Sequence, residues 1–257
     1  MSEGARPVAV VTGGSSGIGL AIVRRLLDDG WRVAFFSQRT SQVDAARLEL
    51  RSHLTCDRVH AATVDLRAVD AVRAFFAGVE RRWKRIDALV CNAAFSPKKP
   101  TGRTPLAEIP LSEWNDVLAV NLTGSLVCCQ AVLPGMATQG LGRIVFIGSV
   151  AGRTQPRIAS ASYVATKSAL VGLMRSIVSE HSSHGITANA VCPGRIITEM
   201  TGNPASPTNQ AALSRIPIGR LGCPEDIARA VAFLIARDAD FINGAVIDVN
   251  GGEFSAP

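Results

Sequence analysis

Tyr163 and Lys167 stand four residues apart in a stretch of helical composition, so one side chain sits above the other on a single helix face. A phenol ordinarily titrates near ~10, too high for easy proton exchange at neutral pH. An ammonium beside it favours the phenolate and lowers that value. The pair therefore reads as a general acid or base, with Ser149 able to orient a carbonyl or an alcohol against it. The spacing alone carries little weight, because an ordinary surface helix often presents Tyr and Lys four apart. The weight comes from the elements that position the pair.

Pro7 to Val11 is a β-branched run, followed at once by Thr12-Gly13-Gly14-Ser15-Ser16-Gly17-Ile18-Gly19. Apolar residues then recur with helical period at Ile18, Ile22, Val23, Leu26 and Leu27, up to Asp28-Asp29-Gly30. Strand, glycine-rich turn and helix in that order suit a dinucleotide phosphate. Glycines let the backbone approach the pyrophosphate, and the free N–H groups and dipole of the helix N-terminus favour its charge. The spacing Gly13-x-x-x-Gly17-x-Gly19 departs from the common G-x-G-x-x-G, and a tight turn alone could use the same glycines. A second strand, Arg32 to Phe36, ends in Ser37-Gln38-Arg39, where such folds meet the adenosine ribose. No acidic residue stands there to hold a ribose 2′-OH, and Arg39 is close enough to pair with a 2′-phosphate. NADP(H) is favoured and NAD(H) stays open, as does a plain exposed arginine.

Val59 to Val64 reads as a third strand leading into Asp65-Leu66 and a helix over Val69 to Trp83. Ile86 to Val90 is a fourth strand, running into Cys91-Asn92-Ala93-Ala94, small residues that suit close approach to a ligand or a tight turn equally. Leu111-Ser112-Glu113-Trp114 opens a long helix with Ser112 as its N-cap, and Asn121 inside it needs polar partners. Gly142 to Ile147 delivers Ser149 at a strand's C-terminal end, and Ile186 to Val191 delivers Cys192-Pro193-Gly194. Arg195 to Pro217, rich in Thr, Asn, Pro and Ser, reads as a mobile substrate-covering loop with short helical pieces. A helix from Pro224 to Ala236 and a strand from Ala245 to Val249 follow. Alternating strands and helices predict an α/β, doubly wound parallel sheet, a Rossmann fold with helices on both faces. No linker divides the chain, so residues 1–257 read as a single domain.

With 47% hydrophobic and 19% charged residues, the composition calls for a large buried core and excludes disorder. A net charge of +6 is scattered, and the cluster Arg81-Arg82-Trp83-Lys84-Arg85 reads as a solvated helix end, with no nucleic-acid motif beside it. That charge suits weak attraction of anionic substrates such as phosphorylated carriers. The six cysteines form no C-x-x-C pair and sit mostly in apolar runs, which predicts no disulfide framework, a reducing compartment and no metal site. No signal-peptide core or membrane-length apolar segment is evident, so a soluble cytoplasmic protein is expected.

Taken together these residues resemble the short-chain dehydrogenase/reductase family over nearly the whole chain. Thr12 to Gly19 resembles its T-G-x-x-x-G-x-G cofactor loop, Asp65 its adenine contact with Leu66 beside it, and Asn92-Ala93-Ala94 its N-A-G motif. Asn121, Ser149, Tyr163 and Lys167 fall where that family keeps its catalytic tetrad; Pro193-Gly194, Ile196 and Thr198 match its nicotinamide-holding segment; Val249-Asn250-Gly251-Gly252 matches its D-G-G ending. The resemblance implies that Tyr163 donates a proton to a substrate carbonyl as hydride arrives from a nicotinamide, and that Ser149 bonds the same oxygen. It implies that Lys167 lowers the Tyr163 pKa and binds the nicotinamide ribose, and that Asn121 holds a relay water. Cofactor contacts are expected from Gly13, Ser15, Ser16, Gly17, Ile18, Gly19, Arg39, Asp65, Leu66, Asn92, Ala93, Ala94, Tyr163, Lys167, Pro193, Gly194, Ile196 and Thr198.

Within the family, Ile216 to Gly222 followed by Pro224-Glu225-Asp226 resembles the 3-oxoacyl-[acyl-carrier-protein] reductases. That implies a thioester-linked substrate, an acyl carrier protein as partner and a homotetramer built through the helices around Asn121 and Tyr163 and through the last strand. Other secondary alcohols, sugars and cyclic ketones stay open as substrates, since several reductases share that tail. Three departures stand out: Ala94 for a glycine, a Ser149–Tyr163 interval one residue longer than in many members, and Asn250 for an aspartate. Where carrier-docking arginines stand in that branch, this chain has Gly140 and His184.

Overall fold

All five residues of β1 (Val8–Thr12) are buried, as a continuous apolar run covered on both faces of a parallel sheet must be. The computed structural model describes residues 6–54, 56–97 and 102–256. After β1 come α1 (Gly17–Asp28), β2 (Arg32–Ser37), α2 (Thr40–Glu49), the single turn α3 (Arg51–Leu54) and β3 (Val59–Thr63). Next are α4 (Val69–Trp83), β4 (Ala88–Cys91), α5 (Leu111–Leu118), a π-helical turn (Ala119–Thr123), α6 (Gly124–Gln139) and β5 (Gly142–Ile147). The chain continues through α7 (Ala161–His181), β6 (Ile186–Pro193), α8 (Pro207–Leu213), α9 (Pro224–Ile235) and β7 (Val246–Val249).

The strands pair in parallel in the order β3-β2-β1-β4-β5-β6-β7, the expected doubly wound sheet. The order reverses beside β1, where its neighbours are β2 and β4, and the crevice at the strand C-termini opens there. Strand residues alternate between two cores. Val8, Val10, Phe36, Leu89 and Phe146 pack with α4, α6 and α7, while Ala9, Val11, Phe35, Val90 and Val145 pack with α1, α2 and α9. Each large side chain buried this way contributes roughly 1.5–3 kcal/mol, which is what ties the helices to the sheet.

Four expectations change. α2 and α3 fill the interval between Arg39 and Val59, where no element had been read. α2 buries only Val43 and Ala46, too few apolar positions for a visible period. Ser112 is not an N-cap, because helix α5 begins at Leu111 after Pro110, and no side chain caps it. The helix is not uniform, since the π turn inserts at Ala119–Thr123. Finally, the run Leu111–Gln139 is long and apolar enough, at mean hydropathy 1.7, to pass as a membrane span by length and composition. Half of that window is buried, since Val117, Val120, Val127, Cys128 and Val132 face the protein interior.

Candidate active site

β5 ends where the backbone turns at Ser149, whose Oγ accepts from the Ala151 N–H at 3.1 Å. The second half of the pair comes from α7. Its N-cap Ser160 accepts from the Tyr163 N–H at 3.4 Å, so the helix begins just before the tyrosine. Gly152 lets the turn after Ser149 lie against Lys167 and Ser168, since a Cβ there would approach the Ser168 nitrogen to 2.9 Å. The Ser149 hydroxyl lies close enough to the Tyr163 phenol to favour its ionised form. Lys167 is buried, and its Nζ donates to the Ile147 carbonyl at 2.6 Å while lying 5.6 Å from the centroid of the Tyr163 ring.

The electrostatics reverse one expectation. Burial pushes the Tyr163 phenol up to about 12, and the opposing influence is the hydrogen bond with Ser149, not the ammonium. Burial also brings Lys167 down to about 8. Lys167 lies over the ring face and donates to the Ile147 carbonyl, so it stands near the tyrosine as a neighbouring charge while its described hydrogen bond goes to the backbone. In this arrangement Tyr163 is a held proton donor at neutral pH.

Asn121 sits in the π turn and is buried. Its Oδ1 accepts from the Phe95 N–H at 2.7 Å, and its Nδ2 donates to the Phe95 carbonyl at 3.0 Å and to Thr166 Oγ1 at 3.1 Å. The side chain is thus a strut between the segment after β4 and α7. Its backbone carbonyl accepts from Ser125 Oγ at 2.9 Å.

The glycine-rich turn is shaped for close approach. Gly13 and Gly17 have φ of +67° and +52°, the left-handed region, and a Cβ on Gly19 would overlap the Gly13 carbonyl. Ser15 Oγ is buried with no hydrogen-bond partner, and the extended Ser16 is the N-cap of α1, ahead of Gly17, Ile18 and Gly19. An orphaned hydroxyl and open amide groups in a glycine cradle fit a pyrophosphate. Thr12 Oγ1 accepts from the N–H groups of Asn92 and Ala93 at 3.0 and 2.9 Å, and Asn92 Nδ2 donates to the carbonyls of Thr12 and Gly13. These bonds hold the Asn92-Ala93-Ala94 segment against the loop.

The remaining expected contacts fall around the same crevice with varied freedom. Pro193 is buried, and a Cβ on Gly194 would meet Asn250 at 2.7 Å. Asn250 is held by Phe254 and Gly252, so its departure from aspartate is a matter of packing. Ile196 is buried, and Thr198 lies over Gly17. Leu66 is buried and packs against Gly124. Asp65 accepts from the Arg67 N–H at 2.9 Å and from Arg67 Nε at 3.1 Å. Arg39 is exposed and pairs with Glu199.

Thr166, Arg67, Gln42 and Glu199 were not read from the sequence as site residues, since no local spacing marks them; Thr12 was read only as the start of the cofactor loop, and its bonds to Asn92 and Ala93 come from a distant segment. Gly140 and His184 are exposed, and His184 lies within bonding distance of Ser183, at 3.5 Å, in a turn after α7. In the basic cluster at the end of α4, Arg82 pairs with Asp57 and Arg85 with Asp87. Among the described residues, no three His, Cys, Asp or Glu side chains converge as metal ligands.

The family model described as "Enoyl-(Acyl carrier protein) reductase" matches residues 13–253. A 3-oxoacyl-[acyl-carrier-protein] reductase, FabG, of Staphylococcus aureus is 35% identical over 96% of this chain and 97% of its own. An acetoacetyl-CoA reductase of Rhizobium meliloti is 36% identical over 97% of this chain and 99% of its own. Among solved structures, a blue fluorescent protein from a metagenomic library, in complex with NADPH, superposes with a TM-score of 0.87. It shares 33% identity and covers 97% of this chain and 98% of its own.

Proposed function

Since the chain belongs to the short-chain dehydrogenase/reductase family and is an oxidoreductase acting on a carbonyl or CH–OH group, we propose that it reduces a 3-oxoacyl thioester to the 3-hydroxyacyl product with NADPH. The observation that carries the reading is the juxtaposition of Ser149 at the end of β5 with Tyr163 and Lys167 on α7, beside a glycine cradle with an unpartnered Ser15 hydroxyl. The named relatives that act on 3-oxoacyl and acetoacetyl thioesters support the substrate class.

The cradle from Gly13 to Gly19 and Ser15 would hold the pyrophosphate, with Arg39 beside the adenosine ribose and Thr198 closing over the loop. When bound, a nicotinamide supplies hydride. The protein's part is the proton and the alignment. With the Ser149 and Tyr163 hydroxyls side by side, a carbonyl oxygen placed against both would receive two hydrogen bonds. Tyr163, kept protonated by burial, gives up its proton as charge develops on that oxygen. Lys167, charged below its value of about 8, stabilises the phenolate left behind. The Asn121 side chain is engaged by Phe95 and Thr166, so any relay water falls to its backbone carbonyl.

NAD(H) is the second reading of the cofactor, favoured by the exposure of Arg39 and its internal partner Glu199, and another secondary alcohol, sugar or cyclic ketone is the alternative substrate. Docking of an acyl carrier protein lacks basic side chains at Gly140 and relies on His184 alone. Assembly as a homotetramer and a cytoplasmic location belong to the same proposal.

The test is NADPH oxidation with acetoacetyl-CoA beside NADH, crotonyl-CoA and a Tyr163→Phe variant. Turnover with NADPH and acetoacetyl-CoA is expected, with loss on the order of 10²-fold or more in the variant, the scale of a positioned acid. Near-normal turnover in Tyr163→Phe would sink the assignment of the acid. Activity on crotonyl-CoA alone would move the reaction to a carbon–carbon double bond.

A further inference from the structure

Glu199 follows the Thr198 that closes over Gly17, and its carboxylate reaches across the crevice to α2. Its Oε1 accepts from Arg39 Nη1 at 3.4 Å, and its Oε2 accepts from Gln42 Nε2 at 2.7 Å. α2 has no acidic residue in its own first turn. The Glu199 carboxylate is therefore the anion at that helix N-terminus, where the dipole favours negative charge. The paired side chains are 58% and 64% exposed, so an anion from solution can compete for the same donors. The place is the end of β2, where an adenosine ribose lies in a sheet of this order.

We propose that Glu199 is a cofactor-selectivity residue whose carboxylate takes, on Arg39 and Gln42, the position of a ribose 2′-phosphate. A 2′-phosphorylated dinucleotide must displace it, whereas an unphosphorylated one leaves the pair intact. The inference rests on the reading of Arg39 as the 2′-phosphate partner. Its sign is definite: Glu199 weakens binding of the phosphorylated cofactor and is neutral toward the other. A residue that merely held Arg39 in place would have the opposite effect.

The test is titration calorimetry of the whole chain at low salt with adenosine 2′,5′-bisphosphate and with 5′-AMP. The proteins are the wild type, Glu199→Gln, Arg39→Ala and the double variant. Glu199→Gln should bind the bisphosphate about twofold to fivefold more tightly, the range set by an exposed ion pair, with 5′-AMP unchanged. Unchanged 5′-AMP affinity also reports that each variant is folded. The gain should vanish when Arg39 is absent. Weaker or equal bisphosphate binding in Glu199→Gln overturns the proposal, as does an equal gain for 5′-AMP or a gain that persists without Arg39. The two readings separate cleanly. If Arg39→Ala binds the bisphosphate as well as the wild type, the role of Arg39 itself falls. If Arg39→Ala weakens binding and Glu199→Gln is neutral, only the role of Glu199 falls.

Discussion

Lys167 is a buried lysine, and burial works against its charge. Its proton is held at about 8 in the folded chain against an ordinary 10.5. Below that lower value the folded state carries a buried charge, and the full cost of burying it is present. Between the two values the unfolded chain keeps a proton that the folded chain has released, so stability rises with pH across that window. Lys167→Met is therefore expected to abolish turnover and yet stabilise the fold by roughly 1–3 kcal/mol at about pH 7, a gain that shrinks toward pH 10. Urea unfolding of both proteins at the two pH values measures it. A variant less stable than the wild type at neutral pH would mean that the bond to Ile147 outweighs desolvation. Tyr163 shows the same force on an acid of opposite charge type, since burial raises the phenol and keeps its proton available for transfer.

At the scale of elements, the π turn between α5 and α6 is the feature that matters most for the site. An extra backbone residue in the turn shifts the helix face locally, as such insertions commonly do near functional groups. Here it sets Asn121 against Phe95 and Thr166, so one amide braces the segment after β4 and the helix that carries Tyr163. Asn121→Ala would leave polar groups of Phe95 without partners. The expected loss is about 1–3 kcal/mol of stability, with a larger fall in kcat than in KM because α7 and its tyrosine are displaced. Chemical denaturation and steady-state rates check both parts. Wild-type kcat in that variant would show that the brace is purely structural.

At the scale of the whole molecule, the most exposed large apolar side chains among the described residues are Phe241, Leu111 and Leu106. Leu106 and Leu111 are 75% and 77% exposed before and at the start of α5, and Phe241 is 98% exposed just ahead of β7, the edge strand of the sheet. An unpaired edge strand and apolar patches of this kind are ordinarily covered by a partner. The proposed homotetramer would cover both. Sedimentation equilibrium is expected to return the mass of four chains, and Leu111→Glu to shift it toward dimers. A monomer in the wild type would remove that proposal.

By itself the sequence determined the sheet, the glycine loop and the candidates for the proposed catalytic pair. β-branched runs, glycines at a strand–helix junction and a four-residue Tyr–Lys spacing act through neighbours a few residues away, and α4 and β5 occupy the residues their patterns mark. α2 escaped because a helix that buries two residues leaves little period to read. Only the tertiary structure decided what surrounds each group. The direction of the Tyr163 shift depends on desolvation by segments from across the chain, and it opposes the one inferred from Lys167 alone. Arg39 meets Glu199 across 160 positions of sequence. Desolvation and distant pairing arise from packing all elements together, so no local pattern carries them.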